Sequence, residues 1–184
     1  MIEPVTRGIG RGLARLRLTP NALTTVGLIS TLVVAYLISI GEWVLGGWLL
    51  IPVLLIDVLD GALARELGKV TPWGGFYDAV CDRLSDGAVL AAVAWSARGE
   101  PEILGATLVA IVASGLVPYT RAKAEAFGFR PANGPGERLE RSVLVIVGLV
   151  FDVVAATMWI IAGLAAFTAL RRSWSARAQA KAAP

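Results

Sequence analysis

Long apolar runs broken by short polar clusters give this chain its pattern. The apolar stretches fall at about 22–40, 43–64, 75–97, 102–124, 139–151 and 153–170, and most approach the length that a helix needs to cross a bilayer. The last two are shorter and joined by a tight turn near Asp152. Ahead of them, residues 3–17 set Arg7, Arg11 and Arg15 four apart, with Ile9, Leu13 and Leu16 between them. That periodicity predicts an amphipathic helix lying at an anionic headgroup surface. Leu18-Thr19-Pro20-Asn21 then reads as a break and a helix start.

The expected fold is an all-α integral membrane protein, with about six transmembrane helices behind an N-terminal interfacial helix. A single domain covers 1–184, divided into 1–21 (interfacial helix and break), 22–171 (transmembrane bundle) and 172–184. The last segment is basic and Ala-rich and is expected to be frayed, with no part in chemistry.

Composition agrees with this class. Of 184 residues, 56% are hydrophobic, and mean hydropathy is +0.69, which is too apolar for an ordinary soluble domain. The formal charge of +3 is unevenly spread. Arg and Lys crowd the N-terminus and the connections near 65–83, 121–141 and 171–181, whereas Arg98 alone stands in an opposite loop beside Glu100 and Glu102. The positive-inside bias therefore puts both termini and the 65–83 and 121–141 connections in the cytoplasm of a cell membrane. About twenty residues, many of them polar or basic, precede the first long apolar run and no clear small-x-small site ends it, so a cleaved signal peptide is not expected.

Charge inside the apolar runs is the exception that marks chemistry. Four aspartates stand in the order Asp57-x2-Asp60-Gly61-x2-Ala64-Arg65-x8-Gly74-x3-Asp78-x3-Asp82. On helices, Asp57 and Asp60 share a face at the end of one apolar segment, and Asp78 and Asp82 share a face at the start of the next. Two carboxylate pairs can thus converge across one short connection. Unit charges about 4 Å apart repel by roughly 4 kcal/mol at an effective dielectric of 20, so such a cluster needs cations or protons. The chain has no His and one Cys, which removes the usual zinc ligands and leaves an all-oxygen site suited to Mg²⁺ or Mn²⁺. Two divalent cations would offset four carboxylates. Cys81, between Asp78 and Asp82 with no His to activate it, reads as a packing residue. Asp86, one turn beyond Asp82, reads as an ion-pair or supporting residue rather than a ligand.

The spacing matches at all eight fixed positions the signature of the CDP-alcohol phosphotransferase family, which this chain closely resembles. Thr19-Pro20-Asn21-Ala22-Leu23-Thr24 is also similar to the element before that family's first span. Within the family, Val80 to Ala88, Tyr119 to Ala126 and Glu137 to Arg141 look most like actinobacterial phosphatidylinositol phosphate synthases. Arg121-Ala-Lys123 stands where those enzymes more often have Lys-Ala-Arg, and Leu139 stands where they have Pro.

The resemblance implies a metal-dependent transfer of the phosphatidyl group from CDP-diacylglycerol to a hydroxyl of inositol 1-phosphate, with release of CMP. It implies two Mg²⁺ per subunit, with Mn²⁺ as the alternative, on Asp57, Asp60, Asp78 and Asp82, and Asp82 doubling as the base. It places Asn21, Ala22, Leu23, Thr24, Gly61, Arg65 and Thr71 on the CDP-lipid. Arg121, Lys123, Arg138 and Arg141 concentrate positive charge suited to the acceptor phosphate, although positive-inside loops carry such residues without a ligand too. Asn21 could equally be a helix cap and Thr71 a turn residue before Pro72. Expected partners are the CDP-lipid, a soluble phosphorylated alcohol, membrane lipids and a second copy of the chain, with no nucleic acid. Two other readings stand beside this one: a sibling enzyme using glycerol 3-phosphate or another alcohol, and, from a different class, a cation or proton carrier.

Overall fold

The computed structural model describes residues 19–66 and 71–182, with side chains described for all of these except 58–66. The expected interfacial helix at 3–17 lies outside the described residues. Six α-helices occur among those described: α1 (Pro20–Ser39), α2 (Trp43–Glu66), α3 (Pro72–Ser96), α4 (Pro101–Ala126), α5 (Arg138–Val150) and α6 (Val154–Ala182). The protein is an all-α membrane protein.

Three of the helices, α1, α4 and α6, are by themselves long and apolar enough to cross a membrane. At about 1.5 Å per residue, their 20, 26 and 29 residues give roughly 30, 39 and 44 Å, against a hydrocarbon core of about 30 Å. α2 has 24 residues and is apolar throughout Trp43–Ile56 ahead of Asp57, and α3 carries Asp78, Asp82, Arg83 and Asp86. With 13 residues, α5 is only about 20 Å long.

The chain divides into two compact units, Met1–Val89 and Leu90–Pro184. In the first, α1 and α2 form a helical hairpin. Its turn is made at Gly41, whose φ of +97° suits a residue without Cβ. Just beyond it, a Cβ on Gly46 would fall 2.5 Å from Ile38 Cγ1, so glycine is what allows the two helices to meet. α1 starts as its sequence dictates: Thr19 is extended and accepts a hydrogen bond from the Ala22 amide at 3.2 Å, and Pro20 occupies the first turn. The cap is therefore Thr19 rather than Asn21.

In the second unit α4 and α5 both pack on α6. The contact is built from small residues, with Ala113, Val117 and Ala165 in one buried cluster, which lets backbones approach closely where lipid supplies no hydrophobic drive. Large side chains point outward instead, among them Leu108, Val112, Trp159, Ile160 and Phe167. A Cβ on Gly148 would lie 2.2 Å from Thr157 Oγ1, so the α5–α6 hairpin is equally tight. One expectation is corrected here: α6 does not fray after residue 171 but stays helical to Ala182.

Candidate metal and nucleotide site

Asp57 lies near the C-terminal end of α2, and Asp78 and Asp82 lie one turn apart on α3. Each offers a carboxylate oxygen, and these oxygens all lie within 4.8 Å of one another. All three groups are half-buried. The i,i+4 spacing puts Asp78 and Asp82 on one face of α3, and the fold brings Asp57 to that face from the neighbouring helix. Three hard oxygen donors so close fit a divalent cation of the Mg²⁺ or Mn²⁺ type. Asp60, Gly61 and Arg65 follow on the α2 backbone, but their side chains lie outside the described residues.

The surroundings of the aspartates are consistent with a held cluster. Cys81 is buried at 4% exposure and is a free thiol, a packing residue as expected. Arg83 reaches Asp86 at 3.6 Å and Asp82 at 3.9 Å. Asp86 thus takes part in an ion pair, and its guanidinium partner extends to the edge of the carboxylate cluster.

Around the start of α3, two of the nucleotide-site candidates, Asn21 and Thr71, come together beside Gly74. Thr71 Oγ1 accepts a hydrogen bond from the Gly74 amide at 3.0 Å, so Thr71 serves as the cap of this helix. A Cβ on Gly74 would sit 3.1 Å from Thr71 Oγ1 and 3.4 Å from Asn21 Oδ1. Asn21, Thr71 and Gly74 therefore form one crowded polar corner. Leu23 and Thr24 are buried at 7% and 9% exposure, and Ala22 is exposed. Thr24 donates to the Pro20 carbonyl at 3.2 Å.

Sequence reasoning missed the tie that fixes this corner. Thr25 Oγ1 and the Tyr77 hydroxyl are 2.9 Å apart, joining α1 to α3, and Tyr77 stacks against Trp73 at 6.2 Å. Tyr77 immediately precedes Asp78, which is the one hint the sequence carried.

In the second unit, the four candidate acceptor residues differ in setting. Arg121 pairs with Glu125 at 3.1 Å on the exposed surface of α4, and Lys123 is also exposed. Arg138 is half-buried at the start of α5, and Arg141 is buried at 5% exposure. Arg141 donates to the Gly136 carbonyl at 2.7 Å. Arg172, which the sequence assigned to the tail, is among the most buried polar groups, at 2% exposure. Its guanidinium donates to the carbonyls of Val117 (2.6 Å) and Ala132 (3.1 Å) and to Glu137 Oε1 (2.5 Å). A signal for it existed: Ile161, Ala165, Thr168 and Arg172 continue a single helical face.

Comparison with known proteins gives the chain's family and its relatives. The family model for CDP-alcohol phosphatidyltransferase matches residues 17–171. Archaetidylinositol phosphate synthase of Pyrococcus horikoshii is 35% identical over 176 residues, covering 95% of this chain and 92% of that protein. Phosphatidylinositol phosphate synthase of Mycolicibacterium smegmatis is 35% identical over 186 residues, covering 94% and 84%. Among solved structures, the phosphatidylinositol phosphate synthase of Mycobacterium tuberculosis superposes with a TM-score of 0.85 with CDP-DAG bound, at 34% identity and 94% coverage of both chains. In its complex with manganese and citrate the TM-score is 0.84, at 34% identity, with 94% of this chain and 88% of that one covered.

Proposed function

The chain belongs to the CDP-alcohol phosphatidyltransferase family, and from that premise we propose that it moves the phosphatidyl group of CDP-diacylglycerol to a hydroxyl of inositol 1-phosphate. The observation that carries the reading is the trio Asp57, Asp78 and Asp82, with carboxylate oxygens within 4.8 Å of one another. Together with Asp60 they would hold the divalent cations, Mg²⁺ or Mn²⁺, two per subunit. When bound, such cations neutralise charge on the pyrophosphate oxygens.

The protein's own residues then have defined tasks. Asp82 accepts the proton of the attacking hydroxyl, there being no His in the chain to do so. A new bond forms between that oxygen and the lipid-side phosphorus, the P–O bond to the nucleotide phosphate breaks, and CMP leaves with the electron pair. Asn21 to Thr24, Gly61, Arg65 and Thr71 hold the CDP moiety: Gly61 leaves room for the flat base, and Arg65 offers its fork of donors to phosphate. Arg121, Lys123, Arg138 and Arg141 bind the acceptor's phosphate. Both relatives named above make an inositol phosphate lipid by name, which favours this acceptor over glycerol 3-phosphate. The enzyme works in the plasma membrane with its site open to the cytoplasm, as the distribution of Arg and Lys suggests, and as a homodimer, as the family resemblance implies.

The test is purified enzyme with labelled CDP-diacylglycerol and a panel of inositol 1-phosphate, glycerol 3-phosphate and free inositol. Label should enter lipid product only with inositol 1-phosphate and a divalent cation. Equal turnover with glycerol 3-phosphate would establish the sibling reading instead. A parallel arm with an archaetidyl donor decides the lipid class.

A further inference from the structure

The far end of α6 is bound to the connection that leads into α5. α4 ends at Ala126 with Phe127 as its C-cap, and Gly128, with φ +77°, turns the chain into residues 129–137. Three side chains of α6 then hold that connection in order. Gln179 pairs with Arg130 as one backbone pairs with another: the Arg130 amide donates to Oε1 at 2.9 Å, and Nε2 donates to the Arg130 carbonyl at 2.8 Å. Arg172 holds Ala132 and Glu137, and the Thr168 hydroxyl donates to the Pro135 carbonyl. The glycines follow the same surface. A Cβ on Gly134 would be 2.7 Å from Thr168 Oγ1, and Gly136, with φ +79°, would press on Leu164 and Ala165 at 3.1 and 3.2 Å.

This connection ends at Glu137, the residue before α5, and Arg138 and Arg141 occupy the first turn of that helix. The Gly136 backbone is itself gripped from α5, by Arg141 on its carbonyl and Glu140 on its amide. α6 is also longer than a bilayer requires: its 29 residues span about 44 Å against roughly 30 Å of hydrocarbon. The excess lies at the Arg171–Ala182 end, where Gln179 meets Arg130.

We infer that the α6 extension is a splint that sets the position of Arg138 and Arg141 toward the phosphorylated acceptor, with Gln179 as its outermost positioning residue. The inference rests on the acceptor reading above and deepens it. Gln179 touches no substrate. It acts by keeping the connection in one conformation, so that the acceptor does not have to order it on binding.

The experiment uses full-length enzyme in membranes of CDP-diacylglycerol and phosphatidylcholine, with inositol 1-phosphate as acceptor. Gln179→Leu, which removes both bonds to Arg130 at similar volume, is compared with a chain ending at Arg177 and with Arg138→Ala. In each, the KM of either substrate and kcat are measured, together with the rate of amide hydrogen exchange across residues 130–137. Gln179→Leu and the shortened chain should raise the acceptor KM about fivefold, as expected for two partly exposed hydrogen bonds. The donor KM should stay within about twofold, and amide exchange in this connection should accelerate, the Arg130 amide having lost its acceptor. An unchanged acceptor KM in Gln179→Leu, beside a raised one in Arg138→Ala, overturns the splint while leaving the acceptor reading intact. An unchanged acceptor KM in both variants, with faster amide exchange in Gln179→Leu, overturns the acceptor reading and the positioning role with it.

Discussion

Removing one carboxylate from the cluster should stabilise the metal-free protein while abolishing its activity. Asp57, Asp78 and Asp82 bring their oxygens within 4.8 Å of one another. At that separation, Coulomb's law gives about 3.5 kcal/mol per pair at an effective dielectric of 20 and about 0.9 kcal/mol in water. The groups are half-buried, so solvent screening draws the value toward the lower bound. Asp78→Asn eliminates two of the three repulsions at nearly constant volume, a gain of roughly 2 kcal/mol on the screened estimate. For a chain of this size, about 1 kcal/mol moves Tm by roughly 2–4 °C, so an increase of about 4–8 °C is expected in excess EDTA.

With saturating Mg²⁺ or Mn²⁺ the order should reverse, because the wild type gains binding energy that the variant has lost. Thermal unfolding followed by intrinsic fluorescence, with and without cation, measures both effects on one sample of each protein. The six tryptophans supply the signal. Should Asp78→Asn prove no more stable than wild type in EDTA, repulsion within the trio is not what dominates the stability of the metal-free site, and this reasoning fails.

Three further outcomes follow from the geometry. Asp82→Asn should lower transfer by at least about 100-fold, in the range of general-base loss, while CDP-diacylglycerol binding by calorimetry stays largely intact; near-normal turnover would remove Asp82 as the base. Gly74→Ala inserts a Cβ 3.1 Å from Thr71 Oγ1 and 3.4 Å from Asn21 Oδ1, so the KM for the CDP-lipid should rise while the acceptor KM is unaffected, and an unchanged donor KM would detach this corner from the nucleotide. Gly148→Ala places a Cβ 2.2 Å from Thr157 Oγ1 and should cost about 1–3 kcal/mol by overpacking, read as a lower Tm at normal substrate KM values; an unchanged Tm would mean that the α5–α6 hairpin can yield there.

The sequence by itself determined the class of protein, and it pointed to the residues proposed for the chemistry and to a hard divalent cation. Apolar runs of spanning length have few stable homes besides a helix in lipid, because only a helix satisfies its backbone within one segment. A chain with no His and one Cys can assemble little except an oxygen site, and an i,i+4 pair such as Asp78 and Asp82 shares a face in any helix. These are local properties, and periodicity records them. Tertiary structure decided what distant segments do to one another. That Thr25 meets Tyr77, and that Gly74 lies against Asn21, depends on how α1 and α3 sit together. Arg172 appeared as one more tail cation because burial is invisible in a basic run; its three acceptors come from α4 and from the 132–137 connection. Gln179 and Arg130 are 49 residues apart, and no periodic signal reaches across such a distance. A hydrogen bond between remote residues exists only once packing has brought both ends to one place.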